Sequence, residues 1–186
     1  MWITYLMGNR KLLNIELGRV SAQEYKELPQ TGLVLVLDNI RSAHNIGSAF
    51  RTADSFRIDK VWLCGICAVP PSAEIHKSAL GAEDSVVWEH VDDTMDAINR
   101  LKEDGYTILS AEQTVDSVML DKFIPSTGQK YAVVFGNEVA GVRQDVVDAS
   151  DTVIEIPQYG TKHSLNVSVS VGVVLWHLRS NMPISR

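Results

Sequence analysis

Cysteine is scarce in this sequence: among its 186 residues only Cys64 and Cys67 occur, spaced as a CxxC pair. One pair cannot form the framework of a disulfide-rich domain, and His76 alone would not complete a zinc site. A redox pair and half of a zinc site are the functional interpretations of this spacing. Two small apolar residues at a strand end are the simpler interpretation, so the sequence predicts no metal site.

Long apolar runs are also missing, since none approaches the roughly 20 residues that cross a membrane as a helix. The N-terminal residues MWITYLMGNRKLL have no charged start and no cleavage site, so they do not resemble a signal peptide. Apolar residues make up 45% of the chain and charged residues 22%, which is ordinary for a globular domain. We therefore expect a cytoplasmic protein without a membrane partner. One domain over residues 31–186 follows a short helical extension over residues 1–30.

Positive charge is in short supply, because 17 Lys and Arg face 23 Asp and Glu and leave a net charge of −6. This balance argues mildly against a nucleic-acid partner, whose phosphates attract basic side chains. Residues 1–60, however, carry eight basic and six acidic side chains. A surface facing a nucleic acid would draw on the basic residues there, namely Arg10, Lys11, Arg19, Arg41, Arg51 and Arg57.

Phosphate-binding glycine motifs are absent, because no predicted strand is followed by GxGxxG or by GxxxxGK[ST]. A dinucleotide dehydrogenase and a P-loop NTPase are therefore disfavoured. Strand and helix patterns instead alternate along the chain, which predicts a doubly wound parallel α/β sheet. The predicted strands are Leu33–Leu37, Lys60–Cys64, Ser85–Glu89, Tyr106–Ala111, Tyr131–Phe135 and Asp151–Ile156. The predicted helices are two short ones within Arg10–Leu28, then Asn45–Phe56, Ser72–Leu80, Thr94–Lys102 and Arg143–Asp148.

The stretch after the last strand, PQYGTKHSLNVSVSVG, fits two patterns. Its apolar residues alternate as in a strand, but those from Val167 to Leu178 also recur at helical spacing. Helix is favoured because the pattern continues through Trp176, too far for an ordinary strand. Pro157 ends the preceding strand, and Ser164 is the expected N-cap of the helix.

Three segments carry a family resemblance: NIGSAFRTA (Asn45–Ala53), FGNEVAGV (Phe135–Val142) and SLNVSVSVGVVL from Ser164. In this order they resemble the three motifs of the TrmH-like branch of the SPOUT RNA 2′-O-ribose methyltransferases. The resemblance implies a parallel sheet with helices on both faces and a C-terminal trefoil knot. It also implies S-adenosylmethionine as methyl donor, an RNA substrate with tRNA favoured over rRNA, and a homodimer. The dimer would pack through the last helix, which offers Val173, Val174, Trp176 and Leu178.

The resemblance also assigns candidate site residues. Arg51 would bind an RNA phosphate and orient the ribose hydroxyl, and Glu138, expected to open the helix of the second motif, would order the catalytic loops. The five catalytic candidates are Asn45, Arg51, Glu138, Ser164 and Asn166. The cofactor candidates are Gly136, Asn137, Ile156, Pro157 and Leu165, with Ser110 as a weaker one.

Each candidate also has a purely structural interpretation. Asn45, Ser164 and Asn166 suit helix caps, Gly136 an ordinary turn, and Arg51 an ion pair with Asp54. Gly47, Ser48 and Ser55 leave room beside Arg51 for a bulky partner. His44, Lys162 and His163 flank the motifs, and Lys162 would either touch RNA or solvate the turn.

Two other functions fit parts of the sequence. The same fold serves as a catalytically silent module that binds RNA or a partner, although all five catalytic candidates are retained here. A small-molecule α/β enzyme fits the acidic pI of about 5.3 but explains none of the three motifs.

Overall fold

A computed structural model describes residues 9–182. Residues 1–8, which hold the apolar start examined for a signal peptide and the beginning of the predicted extension, and residues 183–186 lie outside the described part. The strands are β1 (Leu33–Asp38), β2 (Lys60–Cys64), β3 (Trp88–Val91), β4 (Tyr106–Ala111), β5 (Val118–Met119), β6 (Lys130–Phe135) and β7 (Thr152–Glu155). The α-helices are α1 (Ala22–Glu27), α2 (Ala43–Phe56), α3 (Ala73–Ala79), α4 (Ala82–Ser85), α5 (Thr94–Glu103), α6 (Gln144–Ala149) and α7 (Val167–Asn181). Turns of 3₁₀-helix occupy Asn14–Leu17 and Leu120–Lys122.

The seven strands of the described chain form one parallel sheet in the order β3-β2-β1-β6-β4-β7-β5. Parallel neighbours need a crossover connection, and the helices between the strands supply it. Strand β1 is buried along its whole length, as expected for a strand that is covered on both faces. The predicted parallel α/β sheet is confirmed.

Helices cover both faces of this sheet. Successive side chains of a strand point in opposite directions, so β1 contributes to an apolar core on each face. Leu35 of β1 belongs to the apolar cluster that includes Phe50 of α2 and Leu175 of α7. Val34 belongs to a second cluster on the opposite face, together with Ile98 of α5. The two cores hold the sheet rigid, so the loops at its edges project from a fixed frame.

The predicted strand Ser85–Glu89 is wrong at its start. Ser85 ends the short helix α4, and the N–H of Val86 donates to the carbonyl of Ala82 at 3.0 Å. Strand β3 begins only at Trp88, which pairs with Val61 of β2. The two-residue strand β5 lies within the predicted loose crossover, where so short a strand leaves no periodic pattern.

The stretch after β7 is a helix, as its apolar spacing favours, but the predicted cap is wrong. Helix α7 begins at Val167, and the Oδ1 atom of Asn166 accepts the N–H of Ser168 at 2.9 Å. Ser164 lies two residues earlier, in the preceding turn. The side-chain amide of Asn166 performs the capping, which serine and asparagine do about equally well.

Helix α7 has an inner and an outer face. Val174 and Leu178 are 1% and 0% exposed and belong to the core. The prediction that these two residues are available to a dimer interface is therefore wrong. Val173 and Trp176 point outward and are 38% and 59% exposed. Val169 extends the same outer face, one turn before Val173.

Both cysteines are buried and free at the end of β2. The Sγ atom of Cys67 accepts the N–H of Ile40 at 3.2 Å and donates to the carbonyl of Leu37 at 3.3 Å. Burial raises the pKa of Cys67 to about 11 and raises the pKa of Cys64 as well. Burial therefore favours the protonated thiol at both positions, and the two side chains pack into the apolar cores, Cys67 on one face of the sheet and Cys64 on the other.

Within residues 9–182, no three His, Cys, Asp or Glu side chains are grouped so as to hold a metal ion. No helix in this part of the chain combines the length and apolar character needed to cross a membrane.

Candidate active site

A cavity of about 700 Å³ opens at the carboxyl ends of β4, β6 and β7. Ligands of open α/β sheets bind at this edge, where the loops leave the strands. The walls come from the ends of these three strands, the turn after β6, the loop before α7 and the first turn of α7. Seven of the predicted site residues line it, namely Gly136, Asn137, Glu138, Ile156, Ser164, Leu165 and Asn166.

Side chains from the three sequence motifs meet in one hydrogen-bonded chain beside this cavity. The Nδ2 atom of Asn45 donates to Oε1 of Glu138 at 3.0 Å. The Nδ2 atom of Asn166 donates to Oδ1 of Asn45 at 3.2 Å. Asn45 is buried, and both ends of its amide are bound by protein side chains. The fold thus places side chains from residues 45, 138 and 166 next to one another.

Glu138 also fixes the loop that follows β1. Its carboxylate accepts the N–H of Arg41 at 3.0 Å and the N–H of Ser42 at 3.1 Å, in addition to Asn45. Burial alone would raise the pKa of Glu138, but these hydrogen bonds to the charged form outweigh it and lower the pKa below its ordinary value. Glu138 therefore stays ionised near neutral pH and holds two loops together.

The prediction that Glu138 opens a helix is wrong. It lies in a turn closed by Asn137 and Gly141, whose backbone N–H and C=O groups pair at 3.0 and 2.9 Å. Helix α6 begins later, at Gln144. The backbone N–H and C=O groups of Asn137 are thus already paired within the turn.

Asn137 supports the turn with its side chain as well. Its Nδ2 atom donates to the carbonyl of Asn39 at 2.7 Å, and its Oδ1 atom accepts the N–H of Val139 at 2.9 Å. Asn137 thus lines the cavity, but its side-chain amide is hydrogen-bonded to the backbone of the protein. Its contribution to a ligand site is to shape the wall.

Gly136 lies where two stretches of backbone pass very close together. A Cβ atom added at this position would come 2.0 Å from the carbonyl carbon of Gly141 and 2.0 Å from the nitrogen of Val142. No side chain fits at such distances, so the end of β6 requires glycine. The requirement is structural, and it also keeps this part of the cavity wall open.

Two acidic residues that the sequence reasoning missed hold the far end of the same turn. Glu112, directly after β4, accepts the N–H of Val142 at 3.0 Å. Asp38, fully buried at the end of β1, accepts the N–H of Arg143 at 3.0 Å. Glu112 also lines the cavity. The sequence could have indicated Glu112, because it follows a predicted strand directly and lies two residues after the candidate Ser110.

Four predicted residues are absent from the cavity lining, namely Asn45, Arg51, Ser110 and Pro157. Asn45 lies next to the cavity, bonded to Glu138 and Asn166. Ser110 is fully buried, with its hydroxyl 2.7 Å from that of Ser150. Pro157 is absent from the lining, although its neighbours Ile156 and Gln158 both contribute. Arg51 lies on the exposed side of α2 and does not line the cavity of its own chain.

The surroundings of Arg51 differ from the expectation in two ways. Within the described residues, Arg51 makes no ion pair with Asp54 or with any other acid. Gly47 does not leave room for an external partner, because a Cβ atom there would come 2.3 Å from the carbonyl oxygen of Ile75. Helix α3 occupies the space beside Gly47. Ser48 and Ser55 are the small residues that remain on the same side of α2 as Arg51.

Comparison with known proteins finds relatives that are named as RNA methyltransferases. Residues 32–176 match the model of the SpoU rRNA Methylase family. The chain is 37% identical over 153 residues to the 23S rRNA (guanosine-2′-O-)-methyltransferase RlmB of Nitrosomonas europaea, covering 80% of this chain and 56% of RlmB. It is 30% identical over 180 residues to the tRNA (guanosine(18)-2′-O)-methyltransferase of Aquifex aeolicus, covering 95% and 79%.

A solved structure agrees with these matches. An AdoMet-bound rRNA methyltransferase from Sinorhizobium meliloti superimposes with a TM-score of 0.75 at 25% identity, over 84% of this chain and 59% of the other. The chain therefore spans little more than half the length of the RlmB relative and of this structure.

Proposed function

Because the chain belongs to the SpoU rRNA methylase family, we propose that it is an S-adenosylmethionine-dependent RNA methyltransferase that methylates a ribose 2′-hydroxyl. The observation that carries the proposal is the chain of hydrogen bonds from Asn166 through Asn45 to Glu138, which joins the three motifs beside one cavity. A silent relative would have no need to keep three polar residues from distant segments in contact.

The cavity suits S-adenosylmethionine. Its volume of about 700 Å³ lies in the range that binds ligands of this size, roughly 300–1,000 Å³. Ile156 and Leu165 offer apolar walls for the adenine ring, and Gly136 keeps the wall open between them. The carboxylates of Glu112, Glu138 and Glu155 line the same cavity and would attract a sulfonium cation. We assign cofactor binding to Gly136, Ile156 and Leu165.

When bound, S-adenosylmethionine supplies an electrophilic methyl group. The protein then has to orient the ribose hydroxyl in line with it and exclude water. The hydroxyl of Ser164 lines the cavity and makes no side-chain hydrogen bond within residues 9–182, so we assign it to contact the substrate. Asn45, Glu138 and Asn166 hold the two loops in the geometry that this contact requires.

Arg51 receives the RNA phosphate in this proposal. A guanidinium stays protonated at physiological pH and binds phosphate through two parallel N–H groups, so it positions RNA and does not act as the base. Its place outside the cavity of its own chain favours a site completed by two protomers.

A homodimer through α7 accords with that arrangement. Helix α7 packs against α2, which carries Arg51, and the outer face of α7 exposes Val169, Val173 and Trp176. Burial of these side chains against a second copy would remove them from water. Light scattering at micromolar concentration is expected to give the mass of two chains, and a monomeric mass would reject this part of the proposal.

We favour tRNA as the substrate, in the cytoplasm. The Aquifex tRNA enzyme is covered over 79% of its length by this chain, against 56% for the rRNA enzyme RlmB. The match to the tRNA enzyme also extends over more of this chain, 95% against 80%.

We also propose the trefoil knot and a division into an extension over residues 1–30 and a methyltransferase domain over 31–186. The loop before α7 supports the knot, because Gln113 donates to the carbonyl of His163 at 3.1 Å and Asn166 reaches Asn45. Mechanical unfolding from the two ends would test it, since a knotted chain stops short of its full contour length.

The first experiment is methyl transfer from labelled S-adenosylmethionine to total tRNA and, separately, to rRNA. Both RNA pools must come from a strain that lacks this gene, so that the site is vacant. Alkali-resistant label in one pool, absent with Arg51→Ala, is the expected result and identifies the substrate class. Absence of both label and cofactor binding would favour the silent module instead.

A further inference from the structure

The loop Gln158–His163, between β7 and α7, combines an exposed aromatic ring with an exposed basic side chain. Tyr159 is 94% exposed and Lys162 is exposed as well. Neither side chain makes a hydrogen bond or an ion pair within residues 9–182. A ring this exposed contributes little to the stability of the folded chain and is accessible to a partner.

The position of this loop ties Tyr159 to the cavity. Gln158 on one side of the ring and His163 on the other both line the cavity, and the carbonyl of His163 is held by Gln113. Tyr159 therefore lies at the rim of the cavity, one residue along the chain from Gln158 and four from His163. The loop from Pro157 to Asn166 contains no acidic residue.

Charge separates the rim from the interior. Three carboxylates line the cavity, whereas Lys162 and Arg41 lie on the loops around it, and the N–H of Arg41 is bound to Glu138. An acidic interior suits a cationic cofactor, and a basic rim with an aromatic ring suits a nucleic acid. Aromatic rings bind single-stranded RNA by stacking on unpaired bases, which a duplex keeps stacked on one another.

We infer that Tyr159 is a stacking platform for an unpaired base of the RNA beside the target ribose, with Lys162 on an adjoining phosphate. The choice of RNA rests on the proposed function. The target ribose would then lie in a single-stranded segment of the RNA, and Tyr159 would recognise an unpaired base of that segment.

The test is a binding experiment with labelled decaadenylate, compared with the same strand paired to decauridylate, followed by fluorescence anisotropy at low salt. Wild-type protein is expected to prefer the single strand. Tyr159→Ala should weaken single-strand binding by about 5- to 150-fold, the loss that follows removal of one stacking ring. Tyr159→Phe retains the ring and should bind within about twofold of wild type.

Ile124→Ala is the matched control, because Ile124 is 81% exposed and does not line the cavity. It should leave binding unchanged. Equal binding by Tyr159→Ala and wild type, or no preference for the single strand, would overturn the inference.

Two further measurements exclude indirect effects of Tyr159→Ala. Calorimetry should give an unchanged affinity for S-adenosylmethionine, and light scattering an unchanged mass. An equal loss of cofactor affinity would mean that the ring shapes the cavity, and a change of mass would mean that it lies between two copies. Either result would overturn the inference.

Lys162→Gln tests the phosphate contact separately. The slope of log affinity against log salt should fall by about 0.7, the value for one phosphate contact on a single strand. An unchanged slope would remove Lys162 from the inference. None of these measurements requires catalysis, so a failure to methylate RNA would reject the proposed function without deciding whether Tyr159 stacks.

Discussion

At the scale of single residues, Glu138 does more than its sequence position suggested. Its carboxylate binds two backbone N–H groups and the amide of Asn45, and these bonds lower its pKa. The sequence could supply the residue but not its partners, because Asn45 lies 93 positions away along the chain. Partners at such separations follow from the way the strands are arranged, which local patterns do not report.

The lowered pKa of Glu138 predicts a pH-dependent contribution to stability. A carboxyl group whose pKa is lower in the folded than in the unfolded state stabilises the fold above its unfolded pKa of about 4.3. That contribution disappears as the pH falls through the lowered pKa. Glu138→Gln, which has no charge to lose, should therefore show a smaller fall in melting temperature than wild type between about pH 6 and pH 3. Parallel melting curves for the two proteins would contradict the assignment.

Gly136→Ala should destabilise the protein strongly, because the new Cβ atom would lie 2.0 Å from the backbone of the Gly141–Val142 peptide. We expect a loss of more than about 3 kcal/mol in the free energy of unfolding, or no folded protein. The measurement is chemical denaturation.

Gly160→Ala provides the control for this experiment. Nothing lies within 4 Å of a Cβ atom added at Gly160, so its stability should stay within about 0.5 kcal/mol of wild type. Similar losses in the two variants would show that crowding at the end of β6 is not the cause.

At the scale of elements, the long periodic segments were predictable and the short ones were not. Strand β1 and helix α2 follow directly from an apolar run and from the spacing of Ile46, Phe50 and Ala53, all of which are buried. Helix α4 spans only four residues and β5 only two, so neither shows a period. The start of α7 was missed because serine and asparagine are nearly equal as caps.

Asn166 performs two tasks that one substitution can separate. Asn166→Asp keeps an oxygen that accepts the N–H of Ser168, but it loses the amide group that donates to Asn45. It should keep its stability within about 1 kcal/mol and lose most of its methyl transfer. Asn166→Ala should lose about 1 kcal/mol of stability as well as activity.

Thermal denaturation and a methyl-transfer assay on the same preparations distinguish the two variants. Full activity in Asn166→Asp would show that the bond to Asn45 is dispensable and that only the cap matters.

At the scale of the whole molecule, the distribution of charge is more informative than the net charge. The net charge alone argued against a nucleic-acid partner, whereas the basic residues within residues 1–60 did not. The net charge of −6 is compatible with an RNA enzyme if the acids line a cofactor cavity and the basic residues surround it. Sequence order cannot separate an interior from a rim, since Glu138 and Arg41 touch across 97 positions. Motif matching identified seven residues of the cavity wall, whereas the hydrogen bonds of Glu112 and Asp38 to the turn after β6 follow only from the fold.

The outer face of α7 predicts the behaviour of one surface variant. Trp176→Glu places a charge on an apolar surface that would be buried in a dimer, so it should halve the mass seen by light scattering. Because Trp176 is 59% exposed in the protomer, the monomer should remain folded by circular dichroism. Ile124→Glu, at another exposed apolar side chain, should keep the mass of wild type. A dimeric Trp176→Glu would place the interface elsewhere.

The hydrogen bond between Asn166 and Asn45 has a consequence for protein synthesis. Asn45 leaves the ribosome long before Asn166, 121 residues later, and until then the side-chain oxygen of Asn45 lacks its native donor. A nascent chain can form β1, α2 and β2 before then, but the hydrogen bonds that join Asn166, Asn45 and Glu138 are completed only after Asn166 has been translated. A chain that stops before Asn166 lacks both the donor to Asn45 and the first turn of α7, which lines the cavity.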